Sequence, residues 1–354
     1  MKNIKILIIS LLVFVSLFIT SCGDTEVNNP PSVPLGSEEL ISFDKDLAPM
    51  KTIKTENAYY SLFGEFNSKN FFISVSEKPD TRQTVYESRD ADIWYFDAYG
   101  DILAWCEKTD DGNFFKLYDK KSGAKEIFYA DTTEGYQNSN VAVYKNSAYF
   151  SYIDYSRERA SVMRYDTKTG KNTELYTFDF NGETSIMNLS VCENKLVVTG
   201  YLSGKITVVI SNLDTNIPDV TVPLEGVSYV YAVGYESASD KVALYYRTEG
   251  GSEYIALTSA FDNKIENIYE FAPDCYAYQD SIEMHEGKIN WILQKNEKGF
   301  VADNFSFMSY SLESRELYEK KNTFYFSTFG FDVYLLSFDK SGEYEKIIYS
   351  KAEN

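Results

Sequence analysis

From residue 39 onward the chain alternates short apolar runs with short polar breaks. Runs such as Lys195-Leu-Val-Val-Thr-Gly200 and Lys205-Ile-Thr-Val-Val-Ile210 are rich in β-branched residues, the composition of a strand that packs on a pleated surface. Gly, Asn, Asp and Ser close the runs, as turn residues do. No stretch keeps apolar residues at i, i+3, i+4 and i+7 over three turns, so no long helix is predicted. The pattern is that of an all-β chain of short strands.

One hairpin recurs. Lys116-Leu-Tyr-Asp-Lys-Lys-Ser-Gly-Ala-Lys-Glu-Ile-Phe-Tyr129 reads strand, polar turn, strand. Met163-Arg-Tyr-Asp-Thr-Lys-Thr-Gly-Lys-Asn-Thr-Glu-Leu-Tyr176 repeats it, and Ser337–Tyr349 does so more loosely. Asp can accept hydrogen bonds from the backbone just downstream, and Gly tolerates the positive φ of a tight reversal. Weaker copies lie at Leu213-Asp214, Phe261-Asp262 and Leu312-Glu313, so the acidic markers Asp119, Asp166, Asp214, Asp262 and Glu313 step by 47, 48, 48 and 51 residues. A constant step in the forties, with about four strands in each, predicts propeller blades. The 140–178 unit shows four strands, near Asn140–Tyr144, Ala148–Ile153, Ser161–Tyr165 and Glu174–Phe178. Earlier markers, Asp80 and Asp44, are irregular. The expectation is seven blades, with six or eight as neighbouring counts. A strand at Glu39–Phe43 or Lys51–Thr55 is expected to complete a last blade made from 323–350. The structural rival is a pair of β-sandwiches, which need no constant step.

The Tyr-Asp-x-x-(Ser/Thr)-Gly hairpin at 118–123 and 165–170, with a looser copy at 338–342, resembles the TolB-like and quinoprotein-like families of bacterial propellers. In plan the resemblance covers residues 57–350. It implies architecture and no functional residue, because a fold does not fix a function.

The first residues are different. Met1-Lys-Asn-Ile-Lys5 is basic, and Ile6 to Thr20 is apolar but for Ser10, Ser16 and Thr20. Fifteen helical residues rise only about 22 Å, short of the roughly 30 Å hydrocarbon layer, which suits a signal-peptide core and not a membrane span. Ile19-Thr20-Ser21-Cys22 resembles the bacterial lipobox, in which the cysteine is diacylated before cleavage. The expectation is therefore a lipoprotein signal peptide over 1–21, a lipidated Cys22 and a β-propeller domain over 39–354. Such a protein is held by palmitate-class acyl chains on the extracytoplasmic face of a membrane. Residues 23–38 hold three of the eight prolines and little hydrophobicity, as a flexible tether does.

Charge narrows the partners. The formal net charge is −19, and it becomes −21 once Lys2 and Lys5 leave with the signal peptide. Such a surface repels nucleic-acid phosphates and gains nothing from anionic lipid headgroups. It keeps a monomer soluble. Cys106, Cys192 and Cys275 are far apart and odd in number, so free buried thiols are expected, with one disulfide as the alternative.

The candidate chemistry is sparse. His285 is the single histidine, which removes the commonest base and metal ligand from nearly every position; a surface or hydrogen-bonded role is expected for it. No phosphate-binding glycine loop or nucleophile elbow is present. Asp90, Asp92, Asp97 and Asp101 surround Trp94-Tyr95, and Asp110-Asp111-Gly112 marks a turn. These read as solvated turns, with loosely bound calcium the only cofactor expected, and no catalytic or metal-ligating set is assembled. In a propeller the links from an outer strand to the next inner strand gather at one mouth of the channel. Here they bring Trp94, Tyr95, Tyr136, Tyr229, Tyr276 and Tyr278, whose rings have an apolar face and a polar tip suited to sugars or protein partners. Packing between blades is the alternative for each.

The expected function is a non-catalytic binding or scaffolding module for an envelope protein or glycan. The rival is a carboxylate-dependent enzyme acting on extracellular polysaccharide, which requires acids converging in a deep central pocket. An envelope assembly factor would instead show an apolar patch or a free strand edge.

Overall fold

The computed structural model describes residues 39–352 except 43–46, 66–67, 78–82, 132–139, 183, 216, 260–263, 296–303, 330–331 and 339–345. The signal peptide, Cys22 and the tether lie outside the described residues, as do the markers Asp44, Asp80 and Asp262 and the turn of the third hairpin. Strand β1 (Glu39–Ser42) comes first. Blade one is β2 (Leu47–Lys54), β3 (Tyr59–Glu65), β4 (Phe71–Ser76) and β5 (Gln83–Ser88). Blade two is β6 (Asp92–Tyr99), β7 (Ile102–Lys108), β8 (Gly112–Asp119) and β9 (Gly123–Asp131). Blade three is β10 (Val141–Tyr144), β11 (Ser147–Asp154), β12 (Arg159–Asp166) and β13 (Lys171–Phe178). Blade four is β14 (Ile186–Cys192), β15 (Lys195–Leu202), β16 (Lys205–Asn212) and β17 (Ile217–Pro223). Blade five is β18 (Val227–Glu236), β19 (Lys241–Thr248), β20 (Glu253–Ser259) and β21 (Glu266–Glu270). Blade six is β22 (Cys275–His285), β23 (Lys288–Lys295), β24 (Phe305–Ser311) and β25 (Leu317–Lys321). Strands β26 (Thr323–Phe329), β27 (Asp332–Phe338) and β28 (Lys346–Ala352) follow.

Each blade is an antiparallel sheet of four consecutive strands. Six blades are contiguous in the chain, where the marker spacing led to an expectation of seven. The remaining four-stranded sheet is composite, in the order β1-β28-β27-β26. There Glu39 pairs with Tyr349 and Ser42 with Lys346. Of the two strands expected to complete the last sheet, 39–42 does so, whereas 51–54 belongs to blade one. The four strands expected in the 140–178 unit are β10 to β13.

The sandwich alternative fails on packing. The second strand of a blade is covered on both faces, and β7 reads Ile-Leu-Ala-Trp-Cys-Glu with all six residues buried. The outer strand faces solvent, as the exposed Lys171–Glu174 of β13 shows. The core is therefore divided into clusters between neighbouring blades. Tyr60, Leu62 and Ile73 of blade one meet Phe96, Leu103 and Trp105 of blade two, and Phe63 of blade one joins Phe324, Phe326 and Leu335 of the composite sheet. Each such side chain contributes about 1.5–3 kcal/mol by leaving water.

Polar ties across blades carry the repeat into the hydrogen bonds. Asn140 Nδ2 donates to Met187 O (3.3 Å), Asn188 Nδ2 to Tyr231 O (3.3 Å) and Ser190 Oγ to Val233 O (3.2 Å). Lys116 Nζ meets Glu107 in a largely buried ion pair within blade two, and blade one is tied to it because Glu107 also accepts from the Ser88 hydroxyl and from Tyr86 OH (2.7 Å). Burial alone would raise the Glu107 pKa. The hydrogen bonds from Lys116, Ser88 and Tyr86 outweigh it and hold the carboxyl below its ordinary range.

The recurrent hairpin is the turn between the third and fourth strands of a blade. Asp166 Oδ1 accepts from the N–H of Lys168 (3.0 Å) and of Thr169 (2.9 Å), and Gly170 takes φ +68°. Asp119 plays the same part toward Lys121 N (2.8 Å). In blade four the acceptor is Asn212, which receives the N–H of Asp214 (2.9 Å), and in blade six it is Ser311. The marker positions Asp214 and Glu313 thus stand two residues beyond the turn head, because the role needs a short oxygen-bearing side chain and not a negative charge.

Two predictions follow from these contacts. Glu107→Ala removes the acceptor of Ser88, Tyr86 and Lys116, leaving the ammonium with Tyr86 OH as a remaining partner, and is expected to cost about 1–3 kcal/mol in denaturant unfolding. Because the folded Glu107 pKa lies below its unfolded value, its contribution is complete above the ordinary carboxylate value of about 4.3. It is lost as pH falls through the lower folded value, so wild type and Glu107→Gln should converge in stability on acidification. Asp166→Ala removes two backbone acceptor contacts and is expected to cost about 1 kcal/mol, whereas Asp166→Asn, which keeps the oxygen, should stay close to wild type in the same measurement.

Candidate functional site

The inner strands stand side by side around the axis, so their inward side chains line a central cavity of about 980 Å³. Its open end is framed by the turns between the first and second strands: Glu56 in blade one, Gly100 in blade two, Glu193 in blade four, Ala238 in blade five and Glu286 in blade six. Deeper in lie Lys51 from β2, Asp97 from β6, Cys192 from β14, Glu283 from β22 and Tyr325 from β26. Asp97 and Glu283 occupy equivalent places on their inner strands, each the third pair from the turn, whereas Lys51 stands one pair farther from it.

The charges in this cavity are tied to the ring. Asp97 Oδ2 accepts the backbone N–H of Val143 in the next blade (2.7 Å). Burial pushes the Asp97 carboxyl above its ordinary pKa, while the Lys51 charge and the N–H groups of Val143 and Ala98 oppose the rise. Burial lowers the Lys51 pKa, and the negative charges of Asp97 and Glu283 oppose that in turn. Glu236, nearer the open end, accepts from Gly287 N of the next blade (2.6 Å) and from Ser239 Oγ (2.6 Å). The Cys192 thiol is pushed up to about 12, chiefly by burial, so it is a protonated thiol and not a nucleophile at neutral pH. Cys106, Cys192 and Cys275 form no disulfide with one another.

Several residues fall elsewhere than the sequence suggested. His285 is half-buried on the wall of the axial cavity, with a buried Nε2 that has no hydrogen-bond partner among the described residues. Asp97 is not in a solvated turn but on an inner strand. Among the described residues no group of three or more His, Cys, Asp or Glu side chains is placed to hold a metal.

The links that carry the aromatic candidates lie at the end opposite the open mouth of the axial cavity. Tyr95 is half-buried against the core between blades two and three. Tyr229 lies 5.0 Å from the Tyr231 ring, and Tyr278 packs edge-on to Phe305 at 5.0 Å. Tyr276 lines a second cavity of about 790 Å³, between blades five and six. The Trp94 side chain and Tyr136 lie outside the described residues. Sequence reasoning missed Lys51, Asp97 and Glu283 as a group, and Tyr231 and Tyr245 as partners of Tyr276.

No protein-family model and no curated protein matches the chain. Solved structures do. The chain is similar to the β-propeller domain of the trilobed protease from Pyrococcus furiosus, at 12% identity over 88% of this chain and 95% of that one, with a TM-score of 0.58. It is similar to a prolyl endopeptidase at 10% identity over 83% of this chain and 46% of that one, with a TM-score of 0.57; it spans about half the length of that enzyme. TolB from Acinetobacter baumannii aligns at 10% identity over 87% of this chain and 64% of that one, with a TM-score of 0.48. The chain is a β-propeller. At these identities the first two similarities establish that architecture and nothing further.

The coupling of Lys51 to Asp97 is open to direct measurement. Lys51→Met removes the nearby positive charge while keeping the stem, so the Asp97 carboxyl pKa should rise further above its wild-type value. A carbon-detected NMR titration of the carboxyl groups reads this directly. An unmoved Asp97 would mean that Lys51 does not act on it.

Proposed function

We propose that this chain is a lipid-anchored, extracytoplasmic lipoprotein whose propeller is a non-catalytic binding or scaffolding module for an envelope protein or glycan. The observation that carries the binding part is the axial cavity, whose wall holds the half-buried Lys51, Asp97 and Glu283 and in which Asp97 is fixed by the backbone of the neighbouring blade. Fixed charges in a walled cavity are preorganised for recognition, because little reorganises when a polar ligand arrives. The address is supported by the sequence alone: the basic start, the short apolar core, Ile19-Thr20-Ser21-Cys22 and the proline-rich 23–38. In this reading the composite sheet is the seventh blade and closes the ring. The chain acts as a monomer without nucleic acid.

A second reading is favoured by one feature. Asp97 and Glu283 share the central cavity, and burial pushes the Asp97 carboxyl up, as a general acid requires. That is the arrangement demanded of a carboxylate-dependent enzyme acting on extracellular polysaccharide. The Lys51 charge beside Asp97 opposes the rise, which is why binding is placed first.

Intact mass and fractionation of wild type beside Cys22→Ala test the address: wild type should be membrane-bound with acyl mass, and the variant should lack both. Wild type released without lipid would sink the anchor. Capture of partners from detergent-solubilised membranes tests the cavity. The Lys51→Met, Glu283→Gln double variant should retain its partner about tenfold less well, corresponding to about 1.4 kcal/mol. Undiminished capture would remove the axial cavity from the binding reading, and polysaccharide turnover abolished by Asp97→Asn would move the enzyme reading first.

A further inference from the structure

The cavity between blades five and six has a different chemistry from the axial one. It opens at the end where β19 turns into β20, over Gly250-Gly251-Ser252, and where the chain passes from β21 to β22, over Phe271-Ala272-Pro273. One wall is a locked aromatic set. The Tyr231 and Tyr245 rings stack at 4.6 Å with 27° between their planes, and Tyr245 packs on Phe271 at 5.1 Å. Both phenols donate to one carboxylate: Tyr231 OH to Glu253 Oε1 (2.9 Å) and Tyr245 OH to Glu253 Oε2 (2.5 Å). The Tyr245 hydroxyl also accepts the backbone N–H of Ala277, which fixes this wall to blade six.

Tyr276 on β22 also lines the cavity; it is half-buried, packs in part against the core between blades five and six, and its ring stacks on no other ring among the described residues. At the rim the exposed Glu270 accepts Tyr254 OH (3.0 Å). Gly251, at φ +91°, has open space where a side chain would stand, so the turn leaves the entrance clear.

We propose that this cavity binds a neutral pyranose sugar, with the ring's apolar face on Tyr276 and its hydroxyls donating to Glu253 and Glu270. An aromatic ring beside an acceptor set is what a pyranose presents chemistry for: one face of C–H groups and an edge of hydroxyl donors. Each Glu253 oxygen receives one phenol and keeps a second lone pair for a ligand hydroxyl. The Arg247 guanidinium lies 5.9 Å from the Tyr231 centroid. With that cation nearby and two phenols already sharing its charge, Glu253 calls for neutral hydroxyl donors and not for a second cation. The site is distinct from the axial cavity and stands or falls independently of it.

The test is calorimetric titration of the full chain, in a detergent without sugar, with cellobiose, maltose and chitobiose, and with tetramethylammonium chloride as a cation probe. At least one disaccharide should saturate with a Kd of about 1 mM, the −4.1 kcal/mol range of a weak single-residue glycan contact. Tyr276→Ala and Glu253→Gln should each weaken it by about tenfold. Tyr276→Phe, which keeps the ring face, should remain within about twofold. Asp166→Asn, at a turn of blade three, is the folded control and should bind as wild type does; thermal melting of each variant identifies any that fail to fold, and the Tyr276→Phe and Tyr276→Ala pair decides the matter if Glu253→Gln is such a case. The proposal is overturned if no disaccharide saturates, if tetramethylammonium binds in their place, or if folded Tyr276→Ala binds as wild type does.

Discussion

A four-stranded sheet with two apolar faces is stable only between two others like it, and the rest of this molecule follows from that constraint. Phe115 and Phe150, in blades two and three, lie 4.5 Å apart across one such interface. The same requirement leaves the two ends of the chain with one problem. Strands β26 to β28 have a free outer edge and a face to cover, and β1 supplies the fourth strand while Phe63 of blade one reaches the composite sheet's core. An unpaired edge there would be a template for association. The N-terminal strand is thus structural, although only four residues long.

The ring places the inner strands around an axis, where their small inward faces cannot fill the space. What lines that space is therefore free to be polar, provided each polar group is held. Asp97 is held by Val143 N–H and Glu236 by Gly287 N–H, each one blade onward. These bonds join the site to the architecture: shifting one blade against the next would strip a buried carboxylate of its donor, at a cost of about 1–3 kcal/mol or more for a charged group.

Much of this was legible before any coordinates. Asp119 and Asp166 announced the hairpin because the turn requires their oxygens and the following Gly, and the step between them set the blade length. The precise head of the turn in blade four was not legible, since Asn212 fills a role for which Asp214, two residues on, is the better chemical match. The axial set escaped for another reason. Lys51, Asp97 and Glu283 differ in type and lie far apart in sequence; only the knowledge that inner strands converge makes them neighbours. Attention to the inter-blade links selected one end of the propeller, and it found Tyr276 there. Tyr231 and Tyr245 were hidden because their pairing depends on the packing of two strands within blade five and on a shared carboxylate.

The charged groups of both cavities, Glu253 in one and Lys51, Asp97 and Glu283 in the other, are half-buried. A well-packed apolar set of similar volume is often as stable as an ionic one taken out of water, or more so. Blade three shows that an apolar residue fits the inner-strand position, since Ala142, the third pair from its turn, stands where Asp97 and Glu283 stand in blades two and six. The chain keeps charges at places where the same strand geometry accepts an apolar side chain. Stability does not account for that choice, and recognition of a polar partner does.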